Sequence, residues 1–282
     1  MPELPEVETV VRGLRAAVLG RTIDSVTVNA PAASISQSES LQKNPFEKNL
    51  ASRKILGITR RGKNILISLS GGITLWVHLK MTGHFHYLPA SQPIGRHDLV
   101  VFELKRGSRK LKHTLRFNDY RRFGRLRLFP DDELWQQPAL ANLGPEPLEM
   151  SADQFLSLCQ NRSRMIKAAL LDQFFIAGIG NIYADETLHL SRIHPMRLTN
   201  SISKRKLNEL HSHIQQLLQK AIDNMGTSVD SFSGINGKSG QFQNYLLAYG
   251  REGEECSFCG SKIVREKIGA RSAHFCRRCQ RL

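Results

Sequence analysis

The chain has 282 residues and carries 40 Lys and Arg against 25 Asp and Glu, a formal net charge of +15 with a pI near 9.9. That length suits two or three modest domains, and that charge calls for an anionic partner, most simply nucleic acid. No apolar run approaches the roughly 18–20 residues of a membrane span, and the start lacks the basic-then-apolar pattern of a signal peptide. The expectation is a cytoplasmic chain, in which cysteines serve metals more readily than disulfides.

The first nine residues, Met1-Pro2-Glu3-Leu4-Pro5-Glu6-Val7-Glu8-Thr9, carry chemistry. A methionine before proline is usually removed, which leaves Pro2 as a secondary amine with a pKa of about 7.7–8.0. Such an amine attacks an aldehyde-level carbon to give an iminium ion, an electron sink. Glu3, Glu6 and Glu8 supply acid/base groups beside it, the general layout of covalent catalysis. The same residues also fit an ordinary helix start. Pro5 suits the first helical position, Val7, Val10, Val11, Leu14 and Val18 recur at helical spacing, and Gly20 stops the run. Acids at that end are favoured by the helix dipole alone.

From 22 to 129 the pattern is of short strands: 22–28, 54–60, 65–69, 73–79, 99–104, 111–117 and 126–129, with a hairpin at Gly71-Gly72. Many short strands with local turns indicate a β-sandwich or barrel. Residues 30–49 are polar and read as a loop. Lys63, in Arg60-Arg61-Gly62-Lys63, falls between two strands, as a functional lysine or a charged turn residue. Met81, in His78-Leu79-Lys80-Met81-Thr82-Gly83, fits either a void filler or plain core. Residues 105–127 hold ten Lys or Arg and one acid, Asp119. Within them, Asn118-Asp119-Tyr120-Arg121-Arg122-Phe123-Gly124 offers arginine donors that can replace a lost base's hydrogen bonds, and a phenylalanine that can wedge between base steps. The alternative is a solvated basic strand pair.

Residues 142–148, with two prolines and a glycine, read as a linker. Beyond it the period becomes helical. Ser151 with Gln154 forms a capping box. A helix is expected over 166–176, a second from Asn181 after Ala177-Gly178-Ile179-Gly180, and a third over 204–225 ending at Gly226. A helix start behind glycines suits a phosphate. Residues 234–243, rich in Gly, Ser and Asn, read as a loop. Cys159 reads as core. Cys256, Cys259, Cys276 and Cys279 form a C-x2-C-x16-C-x2-C array, the spacing of a closed, structural four-thiolate zinc site. The finger is rich in Lys and Arg, which suits phosphate contact.

Together these motifs resemble one family, the formamidopyrimidine-DNA glycosylases, along nearly the whole chain. The resemblance implies an α+β multidomain fold: an N-terminal helix plus β-sandwich (1–142), a linker (143–150), a helix–two-turn–helix domain (151–235), and a lesion-loop and zinc-finger region (236–282), with DNA in a cleft between the halves. It implies a bifunctional repair enzyme, glycosylase and AP lyase, for oxidised purines in double-stranded DNA opposite cytosine, acting as a monomer near the bacterial nucleoid. Pro2 would be the Schiff-base nucleophile, Glu3 the proton donor that helps open the deoxyribose, Lys63 the proton donor in β-elimination and Arg271 the δ-elimination residue that grips phosphate. His97, Arg121, Arg162 and Asn181 would contact DNA. Met81, Arg121 and Phe123 would fill the gap left by the flipped nucleotide, and Glu6 would face the extruded base. One structural Zn2+ is the implied cofactor.

Three departures from the pattern bear on the DNA contacts. Tyr120 stands where a proline is usual, Leu99 where a second histidine is common, and Arg162 where lysine is frequent, which keeps the charge. The nearest rival resemblance is endonuclease VIII, which prefers oxidised pyrimidines; Leu4 and the 118–124 run favour the purine enzyme. A non-catalytic DNA-binding protein of the same fold is the rival from another class, and Pro2, Glu3 and Lys63 argue against it.

Overall fold

The computed structural model describes residues 1–29, 34–161, 163–228, 234–235 and 237–282. The chain divides into two compact units, one of Met1–Ala141 with Met225–Gln241, the other of Asn142–Asn224 with Phe242–Leu282. The fold class is α+β.

In the first unit, helix α1 (Leu4–Val18) buries Leu4, Val7, Val10, Val11, Leu14 and Val18, the stripe that the sequence spacing predicts. Glu3 is its N-cap, so Pro5 takes the second helical position rather than the first. Its missing N–H still falls among the unpaired donors of the first turn and costs nothing there. Nine strands follow: β1 (Thr22–Val28), β2 (Ile35–Gln37), β3 (Ile55–Arg61), β4 (Asn64–Leu69), β5 (Ile73–His78), β6 (His84–Pro89), β7 (Asp98–Arg106), β8 (Arg109–Asn118) and β9 (Arg125–Pro130). They form a four-stranded sheet in the order β1-β7-β8-β6 and a five-stranded sheet in the order β2-β9-β5-β4-β3. All neighbours are antiparallel except β2 and β9. The inward residues of both sheets and the stripe of α1 make one core, from Val7 and Leu14 through Ile65, Leu75 and Val77 to Phe85, Phe117 and Leu126. Gly71 and Gly72, at φ +85° and +69°, turn the β4–β5 hairpin in a conformation that L side chains resist.

Two parts of this unit differ from the sequence expectation. Residues 34–49 of the expected 30–49 loop include strand β2 and helix α2 (Phe46–Leu50). Their anchors, Ile35, Phe46 and Leu50, are widely spaced among polar residues, so neither period shows. The Asn49 side chain braces the stretch by donating to the Leu41 carbonyl and the Gln37 amide oxygen, each at 2.8 Å. Strand β6 was hidden because its sequence, His84-Phe85-His86-Tyr87-Leu88-Pro89, buries only Phe85 fully. Two short helices, α3 (Asp131–Leu134) and α4 (Pro138–Ala141), complete the unit's main span.

The second unit holds helices α5 (Ala152–Gln160), α6 (Ile166–Leu171), α7 (Asn181–Leu190) and α8 (Lys204–Asp223), and the hairpin of β10 (Ile263–Ile268) and β11 (Arg271–Cys276). The Ser151–Gln154 capping box is present. Cys159 is fully buried on α5, and burial pushes its thiol up to about 12, as befits core. Helix α6 stops at Leu171 instead of running to 176. Asp172 ends it: its carboxylate accepts from the Phe174 N–H and its carbonyl from the N–H groups of Phe175 and Ile176. Helix α8 buries Leu207, Leu210, Ile214, Leu217, Leu218 and Ile222 as expected. It ends two residues before the expected 225, because Met225 and Gly226 adopt φ +59° and +76°. No described helix is long and apolar enough to cross a membrane.

Candidate functional site

Pro2 is buried at the entry to α1, beside the buried N-cap Glu3. The Glu3 N–H donates to Glu6 Oε2 at 2.8 Å. Glu6 Oε1 accepts from the Thr227 N–H at 2.7 Å. One buried carboxylate therefore ties the N-terminus to the backbone just before the 229–233 stretch, which lies outside the described residues. The approach is close enough to require glycine at 226, where an added Cβ would meet Glu6 Oε1 at 2.7 Å.

Lys63 is also buried, in the two-residue turn between β3 and β4, with Gly62 at φ +56°. Arg60 fixes this turn to α1. Its Nε lies 3.3 Å from Glu8 Oε2, and its Nη1 donates to the Gly62 carbonyl at 3.0 Å. Glu8 also takes the Arg12 guanidinium at 3.2 Å. The helix that presents Pro2 and the turn that presents Lys63 are thus one braced assembly. His78, at the end of β5, has its pKa lowered to about 3, first by burial and then by the charges of Lys80, Lys63 and Arg125. The Lys80 N–H donates to its Nδ1, which a neutral ring accepts.

Met81, Arg121 and Phe123 are brought together on the surface of the same unit. Met81 and Phe123 are 46% and 56% exposed, unusual for large apolar side chains. The Arg121 Nη1 lies 3.5 Å from the Met81 sulfur. Asp119 organises both loops. It is fully buried and accepts from the Thr82 hydroxyl, from the Arg121 N–H at 3.2 Å and from the Gly124 N–H at 2.6 Å. Gly83 and Gly124 both pack against the Phe117 ring with no room for a Cβ. Tyr120, the departure from the proline pattern, takes on an orienting role: the Arg121 guanidinium carbon lies 5.8 Å from its ring centroid. His97 meets that ring edge-on at 6.5 Å, and its carbonyl accepts the Asp119 N–H at 3.0 Å. Its buried Nδ1 has no hydrogen-bond partner among the described residues. Leu99, the second departure, belongs to the core and adds nothing to this surface.

In the second unit, Asn181 opens α7 behind Gly180. The Gln173 side chain shapes the preceding turn, accepting from the Gly178 N–H and donating to the Ile179 carbonyl, each at 2.9 Å. The Asn181 Oδ1 is buried with no partner among the described residues, a polar atom in need of a donor. Arg271 is exposed at the base of the β10–β11 turn. Buried Lys167 donates to the carbonyl of the next residue, Ser272, at 2.6 Å, and pairs with Asp185 of α7. Asp185 accepts the N–H of His274 at 2.9 Å. This node locks the hairpin carrying Arg271 onto the helix carrying Asn181. Arg162 lies outside the described residues.

Cys256, Cys259, Cys276 and Cys279 place their sulfurs within 4.8 Å of one another, with Cys259–Cys276 at 3.5 Å and Cys256–Cys279 at 3.9 Å. A tetrahedron with Zn–S bonds of about 2.3 Å has edges of about 3.8 Å, so the donor set fits one structural zinc. Gln280 ties this knot to α7: its Oε1 lies 2.9 Å from both the Cys276 N and His189 Nδ1, and its Nε2 donates to the Ile193 carbonyl at 2.8 Å.

Sequence reasoning gave no supporting role to Asp119, Arg60, Gln173, Lys167 or Gln280. Asp119 and Arg60 left a signal, Asp119 as the single acid in a run of ten cations and Arg60 as the start of the motif that holds Lys63.

Family models match in three blocks: the formamidopyrimidine-DNA glycosylase N-terminal domain over residues 1–126, its H2TH domain over 143–233, and the zinc finger found in FPG and IleRS over 253–282. The formamidopyrimidine-DNA glycosylase of Pelotomaculum thermopropionicum is 45% identical over all of both chains, and that of Pediococcus pentosaceus 42% identical over 99% of each. Among solved structures, a Lactococcus lactis FPG mutant in complex with a Fapy-dG-containing DNA covers both chains fully, with a TM-score of 0.88 at 34% identity. The same enzyme in complex with DNA containing an abasic site gives 0.88 at 34% over 99% of this chain. These matches along the full length establish that the chain belongs to the formamidopyrimidine-DNA glycosylase family.

Proposed function

We propose that this chain is a base-excision repair glycosylase with AP lyase activity, acting on oxidised purines in double-stranded DNA. The observation that carries the reading is the braced assembly of buried Pro2 and Glu3 on α1 with buried Lys63 on the β3–β4 turn. Burial strengthens electrostatic interactions there and keeps competing water away from an iminium. With Met1 removed, the Pro2 nitrogen attacks C1′ and the oxidised base leaves. Glu3 delivers a proton to the sugar ring oxygen as the ring opens. The resulting iminium acidifies C2′; loss of that proton expels the 3′ phosphate, and a second elimination expels the 5′ phosphate. Lys63 serves the first elimination as proton donor, and Arg271 grips phosphate for the second.

A lesion inside a duplex must leave the stack, at a cost of a few kcal/mol. Met81, Arg121 and Phe123 fill the gap, with Arg121 facing the widowed cytosine. Glu6 lies beside the extruded base, and His97, Arg162 and Asn181 hold the backbone. The zinc is structural, because four thiolates leave no open coordination position. The working divisions are 1–142, 143–150, 151–235 and 236–282. The enzyme acts as a monomer in the bacterial cytoplasm at the nucleoid.

The test is covalent trapping. Incubation with an 8-oxoguanine·cytosine duplex and borohydride gives a protein–DNA band, which a residue added before Pro2 abolishes by turning its nitrogen into an amide. A band with an oxidised pyrimidine only moves the substrate to the endonuclease VIII class. Tight DNA binding with no band from either lesion, in protein with a confirmed N-terminal proline, makes it a binding protein.

A further inference from the structure

The ten cations between 105 and 127 do not share one role. Arg116 is buried and pairs with Asp98 at 3.3 Å. Lys105 and Lys110 pair with Asp24 at 2.9 and 3.0 Å. Arg121 belongs to the gap-filling loop. Arg125 and Arg127 stand apart from all of these. They alternate on β9 with Leu126 and Leu128, which enter the core, so both point to the opposite face of the five-stranded sheet.

The register sets Arg125 opposite His78 and Arg127 opposite Trp76. The Arg127 guanidinium carbon lies 5.5 Å from the Trp76 ring centroid. That ring is itself fixed, buried and donating through Nε1 to Asn64 Oδ1 at 2.9 Å. Arg127 therefore rests on a rigid plate with its donor edge available. Neither arginine has an acidic partner among the described residues. Half-buried Lys80 joins them: its pKa is lowered by burial and then by the charges of Arg125 and Arg127. Like charges held together without a counter-charge destabilise a fold, and a polyanion removes that cost.

The spacing suits such a partner. Two residues along a strand advance about 6.8 Å. One DNA strand rises about 3.4 Å along its axis per phosphate and winds as it rises, so a pair about 6.8 Å apart suits phosphates one or two steps apart. Guanidinium groups bind phosphate oxygens in bidentate fashion, which a lysine cannot reproduce.

We propose that Arg125 and Arg127 form an accessory strip that binds the DNA backbone outside the nucleotides handled by the gap-filling and catalytic residues. The proposal rests on the glycosylase reading. In that reading, the strip adds sequence-independent, salt-sensitive affinity for duplex and leaves lesion choice to other residues.

The experiment measures dissociation constants of the full-length protein for a duplex with an abasic-site analogue across a salt series. The wild type, Arg125→Ala, Arg127→Lys and the Arg125→Ala/Arg127→Ala double variant are compared, each with an unfolding curve. Each phosphate contact contributes about 0.9 to the slope of log affinity against log salt. The double variant is expected to lose about 1.8 of that slope, which makes it about 12-fold less sensitive than wild type between about 50 and about 200 mM salt. Arg125→Ala loses about half of this, and Arg127→Lys, which keeps the charge, retains the wild-type slope. Arg125 is exposed, so its variant keeps the test valid even where removing Arg127 from Trp76 unsettles β9. A wild-type slope in both alanine variants overturns the strip. A wild-type protein with neither a borohydride band nor salt-dependent binding overturns the glycosylase reading itself, and the strip with it.

Discussion

Replacing Asp119 by Asn keeps the side chain's shape and removes its charge. The carboxylate accepts from the Thr82 hydroxyl and from the N–H groups of Arg121 and Gly124. An amide can present one oxygen to this set, and its NH2 must then face another donor. If the oxygen stays with Thr82 and Arg121, the Gly124 N–H is left buried and unpaired, at a cost of about 1–3 kcal/mol. The two surviving bonds fall from charge-assisted to neutral strength, a loss of about 1 kcal/mol between them. The expected total is about 3 kcal/mol, read by urea unfolding of wild type and Asp119→Asn. The functional consequence follows from position: one tethered N–H belongs to Arg121 itself, Phe123 lies between it and the tethered N–H of Gly124, and Thr82 is adjacent to Met81. If these residues fill the gap as proposed, looser loops lower single-turnover excision at least tenfold and change the preference for the base opposite the lesion. Cleavage of a preformed abasic site, where no base has to be extruded, falls less. A variant that loses under about 0.5 kcal/mol and keeps its excision rate and opposite-base preference would refute the reasoning, since it falls below the cost of even one unpaired buried donor.

Gly226→Ala is expected to cost about 1–2 kcal/mol from its left-handed backbone, φ +76°, and more from the 2.7 Å approach of the new Cβ to Glu6 Oε1. Its kcat/KM falls by about tenfold or more in steady-state excision, whereas a wild-type value would mean that the Glu6–Thr227 contact has no part in the reaction. Removing zinc with a chelator, or changing Cys276 to Ser, strips amide-exchange protection from residues 256–280 and leaves that of α1 intact, because metal binding supplies the folding energy of such small knots. Protection retained in the metal-free finger would show that Gln280 and His189 suffice to hold it. His78 makes stability depend on pH. Its folded pKa, about 3, lies below the ordinary value of 6.5, so the unfolded chain binds more protons between those limits and stability falls as pH drops through that window. The cost is about 2 kcal/mol at pH 5 and almost nothing at pH 7, so His78→Gln narrows the pH 7-to-pH 5 stability gap by about that amount in urea titrations. An unchanged gap counts against the ring being neutral in the folded protein.

What the sequence made legible was local. The zinc array depends on two C-x2-C turns, and its spacing alone specifies the donor set. Helices α1 and α8 show their buried stripes because each packs one face, and the strands of the sandwich alternate for the same reason. What it hid was carried by contacts between distant positions. Asp119 meets Thr82 from 37 residues away, Lys167 meets Ser272 from 105, and Glu6 meets Thr227 from 221. No period or spacing encodes such pairs. The helix expected over 166–176 failed for a related reason: its apolar run continues through Phe174, Phe175 and Ile176, but Asp172 finds hydrogen bonds in a turn that compete with the helix. Among the motif residues left open, Met81 was ambiguous because its exposure is set by the loop that Thr82 anchors.

The buried acids explain how a chain with a net charge of +15 braces several loops with backbone donors rather than with its cations. Burying a carboxylate costs several kcal/mol unless its oxygens are satisfied. Asp119 and Glu6 meet that cost largely with backbone donors, and Glu186 accepts the N–H groups of Leu247, Ala248 and Tyr249. Burial raises the pKa of Glu186, and those three donors offset only part of that rise. In each case the acceptor sits in a helix, or at the end of a strand, and the donors sit in an irregular segment that has no ladder of its own. The arrangement rigidifies loops from inside and leaves Arg121, Arg125, Arg127 and Arg271 outside, where a polyanion can reach them. Two buried ion pairs stand apart, Arg116 with Asp98 and Lys167 with Asp185; in the second, Asp185 also accepts a backbone N–H, from His274, and the Lys167 ammonium binds a backbone carbonyl, so the pair anchors a hairpin. Surface charge and internal order are therefore supplied by different residues, which is why substitutions at the buried acids should change geometry at the DNA surface while leaving its charge as it is.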